Sequence, residues 1–562
     1  MLKIKKLLLI ALTLFISVVS YSQVTTSSMS GLVKNDAGEG LSGATIMATH
    51  QPTGTKYTTV TRAGGRFDIL YMNPGGPYTI TVSFVGYQNG VRNDVFIALG
   101  DEYKLEFNLS NVATEISEVV VSGQRGNRTL KSGASTSINN RQINTLPTIS
   151  RSINDFTRLT PQAGPGNTFN GRDGRFNNIQ IDGANFNNNF GLSSSNLPGG
   201  DAQPISLDAI EEISVNISPF DVKQGNFTGA GVNAVTRSGT NTFTGSVYGF
   251  YRNQDFNGKY AASAKLPEAT QSETKSYGMR LGGPIIKNKL FFFVNGEREV
   301  RTYPGLNWLA TRTGVSGANV SRTTATDLDA VRNFLKSTYD YETGPYENLG
   351  EFSSRNYKVL GRIDWNVNDN NRLSLRYNLV KSVNDNETNG SSAPNPRAGS
   401  NRWSRNAMAY ENANYGFEDV VSSWTLDFKS KIGKSANNQF LATYTNIETN
   451  RVSGSSPFPF VDIWDGSATG GNYISFGTEL FSYLNDVIND NFSFTNNLTY
   501  NTGKHSFTGG IAFDVQKFGN SYTRMGTGYY RYASVEDFLK TGTSAEVAPI
   551  MYGLTYPYEN QD

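Results

Sequence analysis

A chain of 562 residues with 50 Lys and Arg against 48 Asp and Glu has room for several domains. It carries no global field that would select nucleic acid or an acidic substrate. Its 37% hydrophobic content is low for a soluble core of this length and its 12% aromatic content is high, a balance that suits pleated β-structure. Cysteine is absent, which excludes a disulfide frame and a thiolate metal site, and the two histidines, His50 and His505, lie too far apart in sequence to suggest a triad or a multi-histidine centre.

The first segment, "MLKIKKLLLIALTLFISVVSYSQ", starts with Lys3, Lys5 and Lys6, continues apolar from Leu7 to Val19, and ends in the small residues Ser20 and Ser22. That is the layout of a secretory signal peptide over residues 1 to 22, cut after Ser22. Its apolar stretch is shorter than the roughly 20 residues a spanning helix needs. Lipid attachment at a lipobox would need a cysteine. An exported chain with no spanning helix belongs to the periplasm, the medium or an outer-membrane barrel.

Residues 26 to 110 alternate short strands with Gly, Asn and Pro turns about every ten residues, the rhythm of a β-sandwich. In "YTITVSFVGY" Ile80, Val82 and Phe84 share one face. The run Gly31, Val33, Gly40, Gly43, Ala44, Thr61, Gly65, Phe67, Tyr78 and Gly86-Tyr87 resembles the carboxypeptidase regulatory-like domain, a transthyretin-like sandwich. Many members of that family carry an acidic residue in the turn where this chain has "TRAGGRF", so a metal-assisted role for the turn is not expected. The family name implies no peptidase activity. His50 is expected at a strand end as an ordinary polar residue.

The next segment, "ATEISEVVVSGQRGNRTL", holds three consecutive valines, Val119, Val120 and Val121, between acidic residues and a Gly/Arg stretch. Two readings stand: a strand leading into the next domain, or a segment that detaches and adds a strand to a partner's sheet edge. The position and the valines resemble the TonB box of outer-membrane transporters, over Glu118, Val119, Val120, Val121 and Ser122. Residues 113 to 236 would then comprise this box and a plug domain. In it "NNIQIDG" reads as a strand with Ile179 and Ile181 on one side, closed by an Asp-Gly turn. Arg172, Gly174, Asp182 and Gly183 match the plug pattern of R-G followed by a strand ending in D-G. "DAIEEISV" reads as a short helix capped by Asp208 with glutamates in its first turns.

At "VNAVTRSGTNTFTGSVYGFYRN" the pattern changes from Asn- and Gly-rich to alternating aromatic and polar. Ser238, Gly239, Thr240, Asn241, Phe243, Gly245, Phe250, Tyr251, Arg252 and Asn253 resemble the junction of last plug strand and first barrel strand in TonB-dependent receptors. The wording is most similar to the Oar-like receptors of the Bacteroidetes type. From residue 238 to residue 562 the chain behaves as a barrel segment should. A lipid-facing strand places apolar groups on alternate residues over about 9–11 residues. Tyr357, Val359, Ile363, Trp365 and Val367 alternate with Lys358, Arg362, Asp364 and Asn366. Leu373, Leu375, Tyr377 and Leu379 then alternate with Arg372, Ser374, Arg376 and Asn378. The same holds around Trp424, around Phe492 and from Phe507 to Val515. Tight turns at "PIIKNKLFFF", "NDNN" and "YNTGKHSF" alternate with long polar loops at 300 to 354, 382 to 417 and 450 to 487. A soluble half-buried sheet shares the alternation; the export signal, the aromatic strand ends and the short-long rhythm favour lipid.

The fold class expected is therefore mainly β: a transthyretin-like sandwich, an α+β plug and an antiparallel transmembrane β-barrel that is incomplete here. About ten strands are expected after residue 240, whereas plugged transporters have about 22, and the chain ends on "YPYENQD" without a terminal aromatic. Hence the chain reads as the N-terminal part of a longer protein.

A calcium-loop match from Asp364 fails, because Asp369 and Leu375 occupy the positions of its Gly and Glu. Arg172 and Arg175 beside Asp173 and Asp182 suggest a buried charge network in the plug, for structural pairing rather than cargo contact. Trp308, Trp403 and Trp464 lie in the long loops, to pack them or to stack on cargo.

No catalytic constellation, cofactor site or metal site is expected, so the chain is read as a non-enzyme. The resemblance implies energy-coupled import of a glycan, peptide or metal chelate across the outer membrane. It implies as partners the TonB–ExbB–ExbD complex, outer-membrane lipid and an extracellular cargo, with room for an accessory surface lipoprotein and none for nucleic acid. The N-terminal domain would face the periplasm. The competing reading is an exported β-rich adhesin or scaffold without transport.

Overall fold

The computed structural model describes residues 24–111, 133–148, 150–188, 203–266, 268–388, 390–396 and 401–556. The expected leader, residues 1 to 22, and the candidate TonB box, Glu118 to Ser122, lie outside the described residues. Seven strands form the N-terminal unit: β1 (Ser27–Asn35), β2 (Thr45–His50), β3 (Thr55–Val60), β4 (Arg66–Met72), β5 (Gly75–Ser83), β6 (Gly90–Ile97) and β7 (Glu102–Leu109). They pair as two sheets, β4-β1-β7 and β3-β2-β5-β6. The alternation of "YTITVS" turns Tyr78, Ile80 and Val82 inward, where they meet Val33, Ile46, Phe67 and Leu105 in one closed core. Gly31 has no alternative at its place: a β-carbon there would lie 2.1 Å from the Leu105 carbonyl oxygen.

The middle unit is built on a five-stranded sheet of β8 (Ala134–Asn139), β9 (Asn178–Ile181), β10 (Ala184–Asn185), β11 (Ile210–Ile217) and β12 (Gly231–Thr236), in the order β10-β9-β12-β11-β8. Two short helices, α1 (Asn140–Thr145) and α2 (Ile153–Thr157), lie between β8 and β9. Asn139 and Gln142 form a reciprocal capping box at the start of α1. The expected helix at "DAIEEISV" does not form. Residues Leu207–Ala209 make a single 3₁₀ turn, and Ile210–Ile217 is a strand between β12 and β8. A register shift between Ile210 and Glu212 offsets the apolar series, giving the three-residue step from Ile210 to Ile213 that imitates a helix. Asp208 caps nothing; Ser206 does.

The third unit is a wall of nine antiparallel strands in chain order: β13 (Thr244–Asn253), β14 (Glu273–Ile286), β15 (Leu290–Tyr303), β16 (Phe352–Asn366), β17 (Asn371–Asn386), β18 (Tyr415–Ile432), β19 (Ala436–Ser453), β20 (Asn485–Thr502) and β21 (His505–Tyr522). Nine strands stand where about ten were expected, because the last stretch folds elsewhere. The outward residues are those the alternation assigns: Val359, Ile363, Trp365, Trp424, Phe492, Ile511 and Phe513 are all exposed. Their neighbours Lys358, Arg376, Ser423, Thr425, Ser493 and Thr495 are buried on the inner side. The wall is open, with β13 and β21 at its two edges.

The long connections at the other end from the tight turns are not bare polar loops. They fold together into a cap with its own core: helix α3 (Ala325–Tyr339), helix α4 (Val535–Leu539), and a five-stranded sheet that includes Phe460–Trp464, Asn472–Phe476 and Tyr529–Tyr532. Trp403 is buried in this core, Trp308 packs against it, and the Trp464 ring lies 4.7 Å from the Arg531 guanidinium. These aromatics pack the cap. The fully buried Arg402 sends Nε and Nη2 to the two carboxylate oxygens of Asp462, each at 2.9 Å, and Tyr529 donates to the same carboxylate. Burial alone would raise the Asp462 carboxyl; the Arg402 charge and its hydrogen bonds hold it below the ordinary range.

Candidate functional site

The middle unit packs against the inner face of the wall, and the contact between them is the candidate site. Its apolar part is one cluster shared by both bodies: Ile179, Ile181, Ile213 and Val215 of the middle unit with Phe293, Leu360, Val380 and Val421 of the wall. Its polar part is three anchor points, each pairing a group of the middle unit with wall charges.

The first anchor is Asp182, at the end of β9. Its φ of 46° turns the chain at the Asp-Gly pair, and Gly183 follows with a φ of 83°, which glycine adopts without steric cost. The turn brings the carboxylate under β12, where it accepts hydrogen bonds from the Thr236 amide at 2.9 Å and the Thr236 hydroxyl at 2.6 Å. From the wall, Arg362 approaches to 3.5 Å and Arg376 to 3.4 Å. Arg362 also holds Asp364 at 2.8 Å and donates to the Thr236 carbonyl at 3.0 Å. Arg376 donates to the hydroxyls of Ser423 at 3.0 Å and Thr425 at 2.8 Å.

The second anchor is Ser206, whose hydroxyl donates to Glu297 at 2.8 Å; Tyr248 donates to the same carboxylate oxygen. Lys358 neutralises that buried carboxylate at 2.7 Å. The third is Asp208, which meets Arg280 at 3.1 Å and the Ser246 hydroxyl at 2.7 Å. Buried pairs of this kind fix geometry more than they add stability, since desolvation offsets much of their attraction. They therefore suit a joint that must hold one register and still be separable.

The four plug-pattern residues fare differently. Asp182 and Gly183 form the wall contact, whereas the Arg172 side chain is exposed and Gly174 opens a surface 3₁₀ turn. Arg175 pairs with Asp173 at 3.0 Å on the surface, so the expected network within the middle unit is replaced by one that crosses to the wall. The local sequence could not show this, because Asp182 and Arg362 are brought together only by folding. The alternation of β16 and β17 did place Arg362 and Arg376 on the inner side, the one signal available. In the junction motif, Gly239 passes close over the first tight turn: a β-carbon there would lie 2.3 Å from the Phe292 carbonyl oxygen. Asn241 exchanges hydrogen bonds with Asn288 of that turn, both at 2.7 Å.

A cavity of about 140 Å³ lies where the three units meet, with His50 and Pro74 from the sandwich, Asp182 and Glu211 from the middle unit, and Arg362 and Ser374 from the wall among its lining. Burial pushes the Glu211 carboxyl above the ordinary carboxylate range, against the charges of Arg280 and Arg362. Burial likewise pushes His50 down to about 4. Among the described residues no group of three or more His, Asp or Glu could hold a metal ion, and no helix is long and apolar enough to cross a membrane, which says nothing of crossing by strands.

Such a wall, apolar outward and charged inward around a docked domain, defines an outer-membrane β-barrel segment. The chain belongs to the outer membrane beta barrel domain family, whose model matches residues 235–561. The carboxypeptidase regulatory-like domain model matches residues 28–110. The TonB-dependent transporter Oar of Myxococcus xanthus is 26% identical over 239 residues, covering 41% of this chain and 21% of its own length. Among solved structures, the outer membrane transporter YddB of Escherichia coli matches at 13% identity and a TM-score of 0.47, covering 71% of this chain and 50% of that one. The siderophore receptor PirA of Acinetobacter baumannii matches at 17% and 0.43, covering 69% and 48%. The chain thus spans about a fifth of the curated relative and about half of these structures. The resemblance to TonB-dependent receptors and the mainly β fold class are borne out. The Myxococcus relative is a transporter, and the barrel family places the chain in the outer membrane.

Proposed function

We propose that this chain is the leading part of a TonB-dependent outer-membrane importer, in which the middle unit is the plug. The observation that carries this reading is the Asp182 anchor: a domain seated inside a lipid-facing wall and tied to it by buried charges beside the apolar cluster the two share. The open edges at β13 and β21 leave backbone groups unpaired, which costs several kcal/mol each in lipid. The wall is therefore completed by further strands of the whole protein. Cargo binds at the cap and the outer face of the plug. The TonB–ExbB–ExbD complex grips the segment Glu118 to Ser122 and pulls, and the plug anchors part. No nucleotide site is needed, because the work comes from the inner membrane. Iron chelates, glycans and peptides all remain compatible with the cap.

The test is deletion of Glu118 to Ser122 in the full-length gene product, with uptake, membrane insertion and cell-surface binding followed separately. Uptake should vanish while insertion and binding persist; continued uptake would refute the role of this segment. Heat-dependent gel mobility of the same protein separates this reading from an adhesin, since a closed barrel resists unfolding in detergent and a surface scaffold does not.

A further inference from the structure

The sandwich sits against the tight-turn end of the wall, and its contacts reach four of the hairpins. The Pro52 carbonyl accepts from the Asn241 amide at 2.8 Å, beside the β14–β15 turn. The Thr55 hydroxyl accepts from Asn366 Nδ2 at 3.0 Å, and the Lys56 carbonyl accepts from Arg372 at 2.7 Å, at the β16–β17 turn. The Arg372 guanidinium also lies 4.0 Å from the Tyr57 ring, and Lys431, at the end of β18, donates to the Thr58 carbonyl. Tyr71, held at a φ of 56° that is an outlier for a bulky residue, points its hydroxyl to the Asn497 carbonyl on β20 at 3.4 Å.

These contacts place the sandwich across the lumen side of the turns rather than beside them. Asn497 and Thr499 belong to the buried inner face of the wall, and the cavity beneath is bounded at once by sandwich, plug and wall. The chemistry of the joint is also distinctive. The apolar core of the sandwich contains no wall residue, whereas the plug shares its core with the wall. A polar joint of this kind resembles a transient interface, which parts and reforms.

We infer that the carboxypeptidase regulatory-like domain is a detachable second closure of the lumen at its turn end, docked on the hairpins through strand β3 and its flanks. This goes beyond the import reading and rests on the wall being a barrel segment. The turn end is the periplasmic end, since bacterial barrels turn tightly on that side. In the docked state the plug has a floor. Asp182 and Glu211 line the space above that floor, so a plug that shifts must first meet a sandwich that has moved away. The basic residues Arg372 and Lys431 grip backbone carbonyls of β3, a contact that depends on position and little on the sandwich side chains.

These 562 residues carry no cysteine, so the test uses a full-length gene product in which any cysteine of the remaining strands is replaced by serine. In the first arm the full-length gene product carries Thr55→Cys and Asn366→Cys, with a protease site inserted at Gly126. After oxidation and cleavage the sandwich should stay joined to the barrel until reduced; failure to bridge overturns the docking. In the second arm Ser374→Cys, on the cavity wall, reports access to a bulky maleimide-polyethylene glycol. Labelling should be slow in the intact protein and rise about tenfold or more with Arg372→Ala and Lys431→Ala, the loss of two charged hydrogen bonds. Deletion of residues 26–110 should raise it at least as far. Equal and fast labelling would show a domain that hangs free, and equal and slow labelling would show that plug and wall alone close the lumen; either overturns the inference. Heat-dependent gel mobility of each variant establishes that the barrel is intact, so a failed barrel is told apart from a failed closure.

Discussion

Replacing Asp182 by Ala should loosen the middle unit without unfolding the wall. The substitution removes the acceptor of the Thr236 amide and hydroxyl, and it strips the negative charge from between Arg362 and Arg376. Arg376 then keeps only neutral partners, Ser423 and Thr425, while its side chain stays 2% exposed. Breaking one side of a buried pair costs roughly 3–5 kcal/mol. Because all three charged groups line the cavity, water relieves part of this, and about 3 kcal/mol is expected here. At about 1.4 kcal/mol per decade that is roughly a hundredfold rise in the open population. Hydrogen exchange of the β9 and β12 amides in detergent-solubilised full-length protein reads the change, while the β18 and β19 amides serve as the internal control. Adding Arg376→Met should recover part of the loss, since an apolar group leaves less charge stranded. Exchange of β9 and β12 that stays within threefold of the parent, or that rises equally in the wall, would refute the latch.

Three further outcomes follow from the geometry. His50 is buried and its folded value of about 4 lies below the ordinary 6.5. The unfolded chain therefore takes up the proton first, and the sandwich keeps its full stability above pH 6.5 and loses up to about 3 kcal/mol as pH falls towards 4. Calorimetry of the sandwich transition in the full chain checks this, with His50→Gln removing the dependence. Gly239→Ala forces a β-carbon against the Phe292 carbonyl, and a backbone clash of this kind costs about 1–3 kcal/mol or more; lower yield of heat-modifiable barrel is the readout. Arg402→Met leaves Asp462 buried without its cation, at roughly 3–5 kcal/mol. Limited proteolysis should then cut the cap loops while the wall stays resistant.

How much was legible in the sequence differs from element to element, and the reason is the surroundings of each strand. In β16 and β17 one face meets lipid and the other meets polar groups, so apolar and polar residues must alternate and the inward arginines can be read directly. Strand β11 is buried nearly throughout, with a bulge between Ile210 and Glu212, and no such alternation survives. Its spacing imitates a helix, and Asp208, which looks like a cap, instead pairs with Arg280. The long connections were legible as polar and external, yet their joint core was not. Ala310, Leu328, Phe460, Phe476 and Tyr529 come from three separate stretches, none apolar enough alone to announce a core.

The sequence by itself determined the order of the three units, the inward and outward faces of the wall, and the junction at residues 238 to 253. These depend on local periodicity and on residues close together in the chain. Only the tertiary structure decided which charges meet across units: Asp182 with Arg362 and Arg376, Ser206 with Glu297, and the sandwich carbonyls with Arg372 and Lys431. Those partners are far apart along the chain, and a carboxylate or a guanidinium carries no local mark of which distant group will neutralise it.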